Sequence, residues 1–246
     1  MRHRRTRWLS GLAVLALLAT SQAGQAEGGD TPIQVTSFSG AFLAARIAEG
    51  DNDLDNAIEF YKQALAFAPG DTSLQQSLML SLIAQGRFDE ALPYADKLKE
   101  VPDVERFSRL VLAVDSFRKQ DYEKAQYWLK LSLAADIDKL ITGIMAGWAM
   151  QGAGQGKEAL AHVERLDGPE WFGLFKAYHR ALIAEASGMK EKAAEIYAEI
   201  LKDTATGSTA PETWVRSAQS YAAFLAREGE KDKALAVLDQ AETFVS

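Results

Sequence analysis

Two hundred and forty-six residues, at about 150 per domain, make one domain or two, and a hydrophobic fraction of 48% is ample for burying a core. The absence of cysteine excludes a disulfide framework, a thiolate metal site and a cysteine nucleophile, and three histidines leave little for metal or acid/base chemistry. The formal charge of −7, from 27 basic and 34 acidic residues, argues against general nucleic-acid binding, because a phosphate backbone repels an acidic surface.

The chain opens with Arg2, Arg4, Arg5 and Arg7, runs through an apolar stretch from Trp8 to Ala19 and continues in small residues, with no Asp or Glu before Glu27. That order reads as a secretory signal over residues 1–26, cleaved after Ala26 or after Ala23. The apolar stretch is shorter than the roughly 20 residues that span a bilayer. The rival reading is an uncleaved anchor, which makes the chain a membrane-tethered structural organiser. With no cysteine at the cleavage region, a lipoprotein is excluded. Removal of 1–26 leaves 23 basic against 34 acidic residues, a formal −11 on the exported part. Residues 27–37, beginning EGGDTPIQV, are turn-rich and read as a flexible lead-in.

From residue 38 onward one theme recurs: DNAIEFYKQAL, DEALPYADKL, EKAQYWLKLSL, KEALAHVERL, EKAAEIYAEIL, DKALAVLDQA. Its alanine falls at Ala57, Ala91, Ala125, Ala159 and Ala193, each 34 residues after the last, and then at Ala234 after 41. This period resembles the tetratricopeptide repeat, a 34-residue helix-turn-helix with small residues at positions 8, 20 and 27, glycine at 15 and aromatic residues toward the second helix. The resemblance carries Ala57, Tyr61, Ala64 and Pro69 in the first unit; Gly86, Phe88, Ala91 and Leu98 in the second; and Ala113, Tyr122 and Ala125 in the third. Gly147, Gly154 and Ala159 carry it in the fourth, Ala181, Gly188, Ala193 and Tyr197 in the fifth, and Ala222, Gly229, Ala234 and Ala241 in the sixth. The fold it implies is all-α, a right-handed superhelical solenoid of about six units at 38–71, 72–105, 106–139, 140–173, 174–207 and 215–246.

Small residues at positions 8 and 20 let the two helices of a unit approach closely, and Gly86, Gly154, Gly188 and Gly229 can take the positive φ that ends a helix tightly. Asn52 tolerates that conformation next best; Gln120 does not, so the third turn is expected to be looser. Pro93, early in a second helix, removes a donor and is expected to bend it. The extra seven residues before the sixth alanine fall in DTATGSTA, which reads as a loop and a candidate hinge, and Pro211 suits the helix start after it. At the end of the array, Leu235, Leu238, Phe244 and Val245 are expected to be partly bare, which raises self-association through the C-terminal repeat.

Catalytic patterns are wanting. His162 is placed on an exposed slot of a second helix and His179 on a first helix, and neither belongs to a motif that supplies it a partner. The acidic run Asp51 to Asp55 lacks the glycine and closing glutamate of a calcium loop and reads as a helix cap. No cofactor or metal is expected, and the chain reads as a non-enzyme.

The resemblance implies instead that positions 2, 5, 9 and 12 of the first helices line a concave, partner-binding groove. Those slots hold Phe42 and Arg46; Gln76, Leu80 and Ile83; Leu110, Val114 and Phe117; Ile144, Trp148 and Gln151; Tyr178, Leu182 and Glu185; then Gln219 and Arg227. Phe117, Trp148 and Tyr178 are the expected aromatic anchors, with inward packing as the competing reading, since a one-residue register error turns a side chain by 100°. The Lys and Asn that grip a C-terminal carboxylate in some members of the family are missing from these slots. The sequence therefore reads as an exported, periplasmic scaffold that binds a protein or peptide in its groove, binds no nucleic acid, and touches membrane only through an uncleaved signal. An alternative is an exopolysaccharide-associated scaffold in which Trp148, Trp171 and Tyr178 stack on sugars.

Overall fold

The computed structural model describes residues 34–132 and 136–245. The expected signal 1–26 and the start of the lead-in lie outside them. Among the described residues there are thirteen α-helices and no strand. Twelve form antiparallel pairs: α1 (Phe38–Gly50) with α2 (Leu54–Phe67), α3 (Thr72–Ala84) with α4 (Phe88–Leu98), and α5 (Glu105–Arg118) with α6 (Tyr122–Lys130). The series continues with α7 (Asp136–Gly152) and α8 (Gly156–Glu164), α9 (Phe172–Ala186) and α10 (Lys190–Lys202), and α12 (Pro211–Arg227) and α13 (Lys231–Val245), while the short α11 (Thr204–Thr209) precedes α12. Each second helix also packs on the first helix of the next pair, so the fold is an all-α solenoid.

The six inter-helix turns are built alike. Asn52, Gly86, Gln120, Gly154, Gly188 and Gly229 all have positive φ, between 58° and 86°. In each turn the next residue's N–H closes on a carbonyl five residues back: Asp53 to Ala48 at 2.8 Å, Asp121 to Ser116 at 2.9 Å, Glu230 to Leu225 at 2.9 Å. This is the helix-ending bond that a left-handed residue makes available. The third turn is thus no looser than the others; Gln120 adopts the strained conformation because the bonds on both sides of it fix the backbone. The acidic run is a cap, with the Asp53 carboxylate accepting from the Asn56 N–H at 3.3 Å. Helix α4 runs through Pro93 without interruption to Leu98.

Close helix approach depends on the small residues. Ala57, Ala91, Ala125, Ala159 and Ala193 are fully buried. At Gly147 an added Cβ would lie 2.5 Å from Val163 Cγ2, so α7 and α8 meet at a distance that only glycine permits. Of the lead-in, Val35 is held: its N–H donates to Gln63 Oε1 at 2.9 Å.

The insert is not a loop. Residues Thr204–Thr209 form α11, and Gly207 lies so close to the Trp214 indole that a Cβ would sit 2.5 Å from its Cδ1. Trp214 is fully buried, donates Nε1–H to the Ile200 carbonyl at 3.1 Å and stacks on Phe244 at 4.0 Å. The polar insert thus covers an aromatic core, which sequence periodicity could not show. The same stack covers one face of Phe244, which is half-buried and so partly bare, as expected at the end of the array. Leu235 and Leu238 are exposed there, and the Val245 side chain lies outside the described ones.

Candidate functional site

The first-helix row does not form one uniform surface. At its N-terminal end Phe42 and Leu80 are exposed, and Phe42 stacks parallel to Phe38 at 6.2 Å. Phe42 and Arg46 help line a depression of about 350 Å³ with Asp71, Ser73, Leu74 and Ser77. Arg46 is ion-paired at 2.5 Å with Glu49, which also accepts from the Tyr61 hydroxyl at 2.9 Å. Gln76, Ile83, Leu110, Val114 and Leu182 are half-buried. Phe117 is half-buried too, meeting Tyr122 edge to face at 6.1 Å.

Farther along, the row turns inward or is tied by polar bonds. Ile144 is 8% exposed and packs with Leu140, Ala159 and Val163, so it belongs to the core and not to an open groove. Trp148 is half-buried and donates Nε1–H to His179 Nδ1 at 3.1 Å, which fixes that nitrogen as an acceptor. The Tyr178 hydroxyl shares a hydrogen bond with Ser220 at 3.2 Å, and Gln151 donates to the Ala186 carbonyl at 3.2 Å. Glu185 accepts from the Tyr197 hydroxyl at 3.1 Å and is ion-paired with Arg227. These bonds join α7 to α9 and α9 to α12, and they satisfy the polar atoms of two of the three expected anchors within the fold. Of the apolar side chains in this row, Phe42 and Leu80 are the exposed ones.

His162 and His179, the two histidines among the described residues, are half-buried. His162 sits half-buried in a slot read as exposed: its Nε2 lies 3.1 Å from the Gly143 carbonyl, across to the preceding helix. Burial lowers its pKa first of all, offset by that hydrogen bond and reinforced by the nearby Arg165 charge. Burial also lowers that of His179. Tyr197 is pushed upward by burial and then by the Glu185 carboxylate.

His162 belongs to a feature that residue patterns did not single out, a cavity of about 690 Å³ among α6, α7, α8 and the segment after α8. Leu129, Ala146, Met150 and Leu166 give it apolar walls, while Glu123, Lys130, Arg165 and Asp167 stand among its polar lining. Its signal in the sequence is the small pair Gly143 and Ala146 on α7, opposite the nine-residue α6. Among the described residues no three His, Asp or Glu side chains gather as a metal ion would require, and no helix is long and apolar enough to cross a membrane.

No protein-family model and no curated protein matches the chain. Among solved structures it is similar to a tetratricopeptide repeat protein from Parabacteroides merdae, with a TM-score of 0.67 at 15% identity over 84% of this chain and 79% of that one. It is also similar to PilW, a type IV pilus biogenesis factor, with a TM-score of 0.52 at 21% identity over 68% of this chain and 78% of that one. The fold is that of a tetratricopeptide repeat solenoid.

Proposed function

We propose that this chain is an exported scaffold of the cell envelope, acting in the periplasm as an adaptor or assembly factor, and that it binds a protein segment on its first-helix face. The observation that carries the binding reading is the exposure of Phe42, which with Arg46 lines the depression, and of Leu80 on the next first helix, both in slots that the repeat resemblance gives to the partner. Large apolar side chains left open on a folded surface are where binding energy concentrates. Export is supported by the arginine-led apolar start of the sequence, and the assembly role is in keeping with the similar fold of PilW, a pilus biogenesis factor.

The partner segment is apolar, to fill the space around Phe42 and Leu80, and has basic flanks that answer the −11 charge left after residues 1–26 are removed. A carboxylate terminus is a poor match, because the apolar Phe42 and Leu80 occupy slots where a clamp needs cationic and amide side chains. Photocrosslinking in living cells tests the reading, with the reactive residue placed at Leu80, at Phe42 or at the exposed second-helix residue Asp96. One discrete partner adduct from Leu80 and Phe42, absent from Asp96, is the expected result. Adducts of equal yield from all three sites overturn the proposed face.

A further inference from the structure

Repeat register allows each end of the array to be compared with its own interior. Tyr61, Ala95, Leu129, Val163 and Tyr197 occupy one slot of successive second helices, and none is more than 1% exposed. In α13 the slot holds Leu238, which is 43% exposed, and Leu235 beside it is 60% exposed. The first helices show the converse. Ser81, Ala149, Ile183 and Phe224 share a slot that is buried in α3, α7, α9 and α12, whereas α1 holds Ile47 there at 65% exposure, with Leu43 one turn away at 58%.

Within the chain these two slots face each other. The Tyr197 ring on α10 lies 6.2 Å from Phe224 and 5.3 Å from Tyr221, both on the following first helix α12. A second, polar contact has its own register: Lys190, at the start of α10, pairs with Glu228, in the turn after α12, at 2.8 Å. The residue in the slot of Lys190 on α13 is Lys231, and the residue in the slot of Glu228 after α1 is Asp51. Both the apolar and the ionic halves of the internal contact are therefore present, unjoined, at opposite ends of the array.

We propose that copies of this chain associate head to tail, α13 of one copy packing on α1 of the next as α10 packs on α12. Leu238 then meets Ile47 and Leu43, and Lys231 pairs with Asp51. The contact is heterologous, so each joined pair keeps one open head and one open tail, and the repeat series is extended in register. Burial of these leucines and the isoleucine supplies the driving force, while the ion pair fixes the register against slippage. The proposal does not depend on what the first-helix face binds. Crosslinks between copies report on the ends, and crosslinks to a partner report on that face.

The chain has no cysteine, so single replacements at exposed positions give unambiguous crosslinks. Differently tagged full-length chains carrying Ile47→Cys or Leu238→Cys are coexpressed in cells and treated with a short bismaleimide. A mixed dimer from the Ile47→Cys and Leu238→Cys pair, with neither variant crosslinking to itself, is expected. Lys231→Asp on the Leu238→Cys chain lowers the mixed yield at least fivefold, and Asp51→Lys on the other chain restores it. Circular dichroism of each purified variant, equal to that of the parent, establishes that the fold is intact. Self-crosslinking of Leu238→Cys without the mixed product, which marks a symmetric tail contact, overturns the proposal. So does an absence of mixed product from chains of parental helicity, or a charge reversal that the second substitution does not rescue.

Discussion

Gln120 holds a φ of 58° in a turn whose counterparts at four of the six repeats are glycine. A side chain there costs roughly 1–2 kcal/mol through contact between Cβ and the carbonyl, while glycine gives up part of that gain to the freer unfolded chain. Gln120→Gly is therefore expected to stabilise the protein by about 0.5–1 kcal/mol in urea titrations. Gly147→Ala acts in the other direction, because the new methyl meets a fully buried valine at 2.5 Å; a loss of about 1–3 kcal/mol is expected in the same titration. His179 gives a pH-dependent outcome. Burial holds both His179 and His162 below the ordinary value of 6.5. Just below pH 6.5 the unfolded chain binds more protons than the folded one, so the neutral histidines' contribution is whole above that pH and is lost as pH falls toward their folded-state values. The urea midpoint should drop between about pH 7 and pH 5.5, and His179→Gln, which can still accept from Trp148 without titrating, should flatten part of that drop.

Among the helices, the third pair is the least supported. Its second helix α6 has nine residues, as has α8, against 14 in α2 and 13 in α10, and the apolar cluster between its two helices centres on Ala113, Trp128 and Leu129. The cavity of about 690 Å³ lies against this helix. A short helix with few buried partners opens at low free energy, so amides of α6 should exchange with solvent before those of α2 and α10. Protection of α6 equal to that of α10 would contradict this ranking. The helix pairs were legible in the sequence because packing leaves little freedom at their contacts: at Ala57 or Ala193 a larger side chain has nowhere to go, so the 34-residue alanine period survives. The turn at Gln120 was not legible, since its φ is fixed by bonds from its neighbours and not by its own preference. Helix α11 was hidden for a related reason: its six residues have no apolar period, and what orders them is the Trp214 indole beneath Gly207. The candidate face was legible only as a row of slots. That Trp148 is tied to His179, 31 residues later, and that Ile144 turns into the core, depends on contacts between repeats that no single helix encodes.

For the whole molecule, one kind of contact recurs: a second helix covers the next first helix, and the solenoid is the repetition of that act. Its two consequences are a row of first-helix side chains, of which Phe42 and Leu80 remain open, and two end surfaces at α1 and α13 that carry the matching halves of the same contact. The acidic charge acts over both. A partner with basic flanks should bind more tightly at low ionic strength, where screening is weakest. The central claim is that Phe42 and Leu80 bind a partner and are not simply packing residues. It is tested most directly by titrating the partner captured from Leu80 against the parent and against Phe42→Ala and Leu80→Ala, with the thermal midpoint of each variant measured alongside. The account predicts affinity lower by about thirtyfold, near 2 kcal/mol, at unchanged thermal midpoint. Undiminished affinity, or affinity and thermal midpoint falling together, would contradict it.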